Sequence, residues 1–156
     1  MSEQPNPSFI EEIRESFGRQ SLMQLIGAEL GVIEPGVVEI NLAYRPDLLQ
    51  QHGYLHAGIV TTIADSACGY AAFSLMPAGT EVLSVEFKVN LLRPARGVRF
   101  VARGEVIKAG RTLTVVRGDV FGFSDNGARE LIATMQATMM CMRRGHVLAS
   151  SDRRRF

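Results

Sequence analysis

An excess of charge of either sign is nearly missing from these 156 residues: 17 Lys and Arg stand against 16 Asp and Glu, for a net charge of +1. No broad field exists to hold a polyanion and no stretch interleaves basic with aromatic residues, so nucleic acid is excluded as a partner while a small anionic ligand is not. Cysteine is scarce too. Cys68 and Cys141 are far apart, match no metal or redox spacing and lie in apolar context, the pattern of reduced core thiols in a reducing compartment. The N-terminal MSEQPNPSFIEEIRESF lacks a charged-then-apolar order, so no export signal is read and a cytoplasmic location is expected. Long apolar runs are confined to Ile59 to Met76. Asp65 in its interior costs about 2.5 to 3.5 kcal/mol on insertion scales, and Thr, Ser and Gly dilute the rest, so we read a helix buried in protein and no membrane span.

A chain of this length fits one domain that buries roughly two thirds of its unfolded surface. We place it at residues 1–143, followed by a basic tail over 144–156 with Arg144, Arg153, Arg154 and Arg155. Apolar residues at Phe9, Ile13, Phe17, Leu22, Leu25 and Ile26 predict one or two short helices, with Gly18 as the interruption. Glu29 to Ile33 and Val37 to Tyr44 flank Pro35-Gly36 and predict a hairpin. Arg45 to Leu55 reads as loop. A helix is predicted from Ala57 to Leu75, stopped by Pro77 and Gly79, with apolar surface around most of its circumference.

The period then changes to two. Leu83, Val85, Phe87, Val89 and Leu91 alternate with Ser84, Glu86, Lys88 and Asn90, which predicts a half-buried strand. Three more strands follow, at about 98–108, 111–123 and 129–143, with gaps short enough to require antiparallel neighbours. The expected architecture is α+β, an antiparallel sheet wrapped around one long central helix, which is the hotdog arrangement. Its edge strands call for pairing, so a homodimer with a continuous sheet is expected, with dimers pairing further.

Within "QQHGYLHAGIVTTIADSACGYAAFSLM" one carboxylate, Asp65, stands alone among apolar and small residues. "HAGIVTTIAD" resembles the His-Gly-Gly-x-x-x-x-x-x-Asp signature of PaaI-type hotdog acyl-CoA thioesterases, and "VLSVEFKVNLLRPARG" resembles the strand after their helix. The likeness spans roughly residues 48–142 and is similar above all to the YigI-like branch, which acts on medium- and long-chain acyl-CoA. His56, Gly58 and Asp65 fall on the signature, while Ala57 replaces its first glycine and still supplies an N–H. The resemblance implies hydrolysis of acyl-CoA to free acid and CoA, with no metal and no separate cofactor. It also implies an orienting amide at Gln50 and a water-positioning hydroxyl at Ser84. Arg93, Arg96, Lys108 and Arg111, at strand ends, are candidates for the CoA phosphates.

The chemistry of the residues agrees. A carboxylate serves as nucleophile or as general base for water, and helix N-terminal amides, here those of Ala57 and Gly58, stabilise an oxyanion. Gly58 and Asp65 lie two turns apart on one face, about 10 Å along the axis. Each must come within about 3 Å of the reacting atoms, so a single helix cannot supply both to one carbonyl. Two antiparallel helices across a dimer axis can. His56 is read as holding the turn that presents the amides, and His52 as a loop residue. The methionines Met135, Met139, Met140 and Met142 are read as core or as lining for an acyl chain. Two alternatives remain: a hotdog hydratase or dehydratase, which needs a histidine paired with an acid, and a non-catalytic acyl-CoA-binding module.

Overall fold

The structure, a computed structural model, describes residues 6–145. Its elements in chain order are α1 (Phe9–Gly18), α2 (Ser21–Ile26), β1 (Ala28–Glu34), β2 (Val37–Ala43), a 3-10 turn (Pro46–Leu48), α3 (Ala57–Phe73), β3 (Thr80–Leu91), β4 (Arg99–Lys108), β5 (Leu113–Phe123) and β6 (Arg129–Arg143). The N-terminal periodicity resolves into two helices. Phe9, Ile13 and Phe17 are spaced four apart and pack on the core, with Ile13 wholly buried. The helix stops after Gly18 and a second starts at Ser21, and α2 ends on Gly27 in the left-handed conformation at φ 73°. Gly36, at φ 77°, closes the β1–β2 hairpin.

The six strands form one sheet in the order β1-β2-β4-β5-β6-β3, every neighbouring pair antiparallel. The long helix α3 lies across one face, against β2, β3, β4, β5 and β6. Small residues make that approach close. Ala64, Ala67, Cys68 and Ala71 are fully buried on the helix, and beneath them Gly104 of β4 and Gly118 of β5 are register partners. A Cβ at Gly104 would fall 2.3 Å from the Ala67 carbonyl oxygen, and one at Gly118 would fall 2.7 Å from Cys68 Sγ. The glycines are therefore what lets the helix settle on the sheet.

Four sequence expectations need correction. The central helix stops at Phe73, not Leu75, because Ser74 Oγ donates to the Ala71 carbonyl (2.7 Å) and accepts from Gly36 N–H (2.7 Å), tying the helix end to the hairpin turn. Secondly, β3 is not one uninterrupted alternation. Its register to β6 shifts between Ser84 and Glu86, so Val82 and Ser84 point to the helix side before the bulge, and Phe87, Val89 and Leu91 point there after it. Opposite residues share a face: Ser84 faces buried Met139, and Phe87 faces buried Ala137. Thirdly, β3 is an edge strand with its outer side unpaired among the described residues. Leu83, Val85, Phe87 and Leu91 are accordingly exposed in the single chain, and the strand is not half-buried. Fourthly, the methionines divide. Met135 and Met139 are core, while Met140 lies opposite outward-facing Leu83 and only half-buried; Met142, two residues on, is half-buried as well.

At the C-terminal end Arg144 is ion-paired with Glu12 at 2.9 Å, which joins β6 to α1. The rest of the expected basic tail, from residue 146 on, lies outside the described residues.

Candidate active site

Asp65 sits midway along α3, half-buried, and its Oδ1 accepts a 2.7 Å hydrogen bond from Ser84 Oγ. The bulge is what turns Ser84 to this face. The pair borders a cavity of about 190 Å³ whose walls also include Ser16, Gln20, Ser66 and Tyr70. Most of those side chains are polar.

At the start of the same helix His56 is the N-cap. Its backbone is extended (φ −61°, ψ 136°), its carbonyl accepts from Ile59 and Val60 N–H (2.9 and 3.1 Å), and its Nδ1 accepts from Gly58 N–H at 2.9 Å. A ring that accepts at Nδ1 carries its proton on Nε2 in the neutral form. A Cβ at Gly58 would lie 3.0 Å from that Nδ1, so a larger residue there would push the imidazole back by a few tenths of an ångström. This corrects the expectation of two free amides. Gly58 N–H is engaged by His56, and Ala57 N–H, one residue earlier, is the one without a partner among the described residues. Ala57 is exposed and borders an apolar groove of about 390 Å³.

Gln50 lines that groove, away from Asp65. Its N–H donates to the Tyr54 carbonyl at 2.9 Å, and its Oε1 accepts from the N–H of exposed His52. Within one chain its acceptor is thus engaged in a local turn.

Arg93 and Arg96 stand at the same end of the sheet. Arg93 Nη1 donates to the Leu131 carbonyl at 3.2 Å. Arg96 Nη2 donates to Tyr54 Oη at 2.6 Å, with its guanidinium carbon 4.9 Å from the Tyr54 ring centroid. Lys108 and Arg111 do not join them. Lys108 is the last residue of β4 and Arg111 lies just past it, and the strand's ten residues at about 3.3 Å each put both about 30 Å away. In a single chain the four basic residues form two groups, and Arg111 shares its pocket with Arg143 and Arg144.

The groove beside Ala57 and the cavity beside Asp65 have no lining residue in common. Asp65 is eight residues past Ala57, about 12 Å along an α-helix. One chain therefore holds an amide and an acid that cannot meet on one carbonyl. Nearby, burial, with the charges of Asp65 and Asp119 adding to it, pushes the Cys68 thiol up to about 12, so this cysteine is an inert core group.

Sequence reasoning missed Tyr70, Ser16 and Gln20. Tyr70 reads as part of the apolar helix surface, and only its four-residue spacing from Ser66 hints at a polar stripe. Nothing in the sequence links residues 16 and 20 to it.

The model of the Thioesterase superfamily matches residues 52–127, the stretch that carries α3, its cap and β3. The crystal structure of a thioesterase family protein from Silicibacter pomeroyi is 52% identical, covering 86% of this chain and 98% of that one, with a TM-score of 0.84. The chain belongs to the thioesterase superfamily. As a member of it, this chain also resembles the PaaI protein of the E. coli phenylacetic acid degradation operon in fold, with a TM-score of 0.75 over 88% of this chain and 94% of that one at 16% identity. In sequence it is similar to the medium/long-chain acyl-CoA thioesterase YigI of E. coli K12, 25% identical over 130 residues that span 74% of this chain and 81% of YigI. The hotdog fold expected from the strand and helix order is the fold of this thioesterase.

Proposed function

We propose that this thioesterase hydrolyses acyl-CoA in a homodimer, with the carbonyl held between Ala57 N–H of one subunit and Asp65 of the other. The observation that carries this reading is the separation of amide and acid on one helix, together with a twelve-residue strand, β3, whose free edge runs beside that helix. Pairing of two β3 strands about a two-fold axis is antiparallel, which sets the two copies of α3 head to tail and brings each helix start toward the partner's middle. Exposed Leu83 and Leu113, on either side of Met140 on the outer sheet face, support further pairing into a dimer of dimers.

In the reaction Asp65 either attacks the carbonyl or takes a proton from water that does. The C–O bond forms, the negative charge gathers on the carbonyl oxygen opposite the Ala57 amide, and the C–S bond then breaks with the CoA thiolate leaving and taking up a proton; where Asp65 itself attacks, a water then adds to the acyl carbon of the resulting anhydride, releasing the free acid and restoring the carboxylate. Ser84 holds the carboxylate in place. Gln50 comes from the subunit that supplies the amide, and Arg93 and Arg96, at the mouth of its groove, face the phosphates of CoA. The reaction uses no metal or redox cofactor, and free Cys68 and Cys141 suit a reducing, cytoplasmic setting. Among the described residues no helix is long and apolar enough to cross a membrane.

Medium- to long-chain acyl groups are the proposed substrates. The likeness to YigI supports this. The test is thiol release from a series of straight-chain and aromatic acyl-CoAs. Turnover that peaks at medium or long chains is expected, and an optimum at acetyl- or phenylacetyl-CoA overturns the chain-length assignment.

A further inference from the structure

Tyr70 is 4% exposed, yet its hydroxyl is not left in the core unattended. Gln20 Nε2 donates to Tyr70 Oη at 2.7 Å, and Ser16 Oγ lies 3.2 Å from the same oxygen. Phe17, between them in sequence, packs its ring on Tyr70 with centroids 6.1 Å apart. Gln20 is the N-cap residue of α2, where a polar side chain ordinarily satisfies its own helix. Here it makes no cap bond and reaches a tyrosine 50 residues away. These contacts place the α1–α2 segment as the wall of the cavity that holds Asp65. The segment lies outside residues 52–127, the stretch that the family model matches.

Two arms leave a thioester carbonyl seated at Asp65. Coenzyme A ends in a nucleotide, which needs an open route, and the groove beside Ala57 opens past Arg93 and Arg96. The cavity beside Asp65 is about 190 Å³ and is walled by α1, α3 and β3; that is the volume of about six waters, below the roughly 300 Å³ at which ligand pockets begin. An acyl arm that enters it meets Tyr70, Ser16 and Gln20.

We propose that Ser16, Gln20 and Tyr70 are the specificity-determining residues of this thioesterase: they fasten the N-terminal helices over the Asp65 cavity and so set the upper limit of acyl length. The inference rests on the Asp65 reading and adds to it. Loosening the fastening lets the helical wall yield to extra methylenes, whose discrimination by a pocket wall is worth about tenfold or more.

The experiment compares kcat/KM for palmitoyl-CoA with that for hexanoyl-CoA in the full chain, in Gln20→Ala and in Tyr70→Phe. The ratio of the long to the short substrate rises about tenfold in both variants. A merely structural role lowers both substrates together and leaves the ratio in place, which overturns the proposal. Should Tyr70→Phe fail to fold, Gln20→Ala decides alone, since its side chain is only half-buried. Wild-type turnover that depends on Asp65, with a ratio that does not move, defeats the specificity assignment and leaves the catalytic one standing. Absence of wild-type turnover on every acyl-CoA defeats both.

Discussion

Ser84 Oγ meets Asp65 Oδ1 at 2.7 Å because β3 changes face one residue later, at Val85. Before the bulge the even-numbered residues look toward α3, and after it the odd-numbered ones do. A strict alternation would have aimed either Ser84 or Phe87 and Val89 at solvent. The bulge lets one strand present a polar group to the acid and apolar groups to the core.

The first prediction follows from that contact. A hydrogen bond to a charged acceptor contributes about 1.5 to 3 kcal/mol, so Ser84→Ala lowers kcat by about tenfold or more if the bond holds Asp65 in its reactive position. Asp65→Asn removes the charge itself and lowers kcat by about 10² to 10⁴-fold. Both variants are expected to keep the wild-type circular dichroism spectrum. Near-normal turnover of Asp65→Asn in a thiol-release assay removes this acid from the mechanism.

The helix cap gives a second test. His56→Ala leaves Gly58 N–H without its acceptor, which costs about 1 kcal/mol and frees the turn that presents Ala57. Asparagine caps as well as any residue, so His56→Asn recovers both the melting temperature and kcat. An imidazole that takes part chemically gives a different outcome, in which Asn restores stability and leaves activity low.

How far the sequence could be read depends on the range of the interaction. Periodicity located α3, the β1–β2 hairpin and the strands β3 to β6, because burial on one face leaves a local trace at every second or fourth residue. The lone carboxylate and its two-turn separation from the helix start were legible for the same reason. The bulge at Val85 was not, since Leu83 to Leu91 alternate without a flaw in the sequence and only the register with β6 reveals the extra residue. Nor was the capture of Gly58 N–H by the His56 ring, or the meeting of Gln20 with Tyr70, 50 residues apart. The grouping of Arg93 and Arg96 with Lys108 and Arg111 failed because closeness to strand ends says nothing about which end.

Close packing of the helix supplies a third prediction. At Gly104 even a methyl group meets backbone, with Ala67 O at 2.3 Å. Backbone cannot step aside as a flexible side chain does, so Gly104→Ala destabilises by about 1 to 3 kcal/mol. Urea denaturation followed by fluorescence or circular dichroism measures it, and an unchanged midpoint shows that helix and sheet are less tightly seated.

Thiol chemistry supplies the fourth. With its pKa pushed up to about 12, Cys68 is thiolate in only about one molecule in 10⁴ at pH 8. Half-buried Cys141 is therefore the thiol that an alkylating reagent finds in the folded protein. Mass spectrometry after a short alkylation at pH 8 shows a single label at Cys141, with the second appearing only in denaturant. Early labelling of Cys68 shows that α3 lifts from the sheet in the native state.

The last prediction tests the shared site, and the cap geometry selects its variants. Ala57 is the first residue of α3, the position where proline fits a helix best because that N–H has no intrahelical partner. The residue before a proline must be extended, and His56 already is, at φ −61° and ψ 136°. Ala57→Pro thus deletes the free amide while leaving the helix and its His56–Gly58 bond intact, whereas Gly58→Pro would remove the cap bond instead. Ala57→Pro and Asp65→Asn are each expected to be inactive as homodimers. Mixed after dissociation and reassociation, they form heterodimers in which one site carries both faults and the other carries neither. With random pairing half of the dimers are mixed, each with one of two sites intact, so about a quarter of the wild-type activity returns. Verified heterodimers that remain inactive show that amide and acid act from the same subunit, a result the 12 Å along one helix would make hard to reconcile with a single carbonyl.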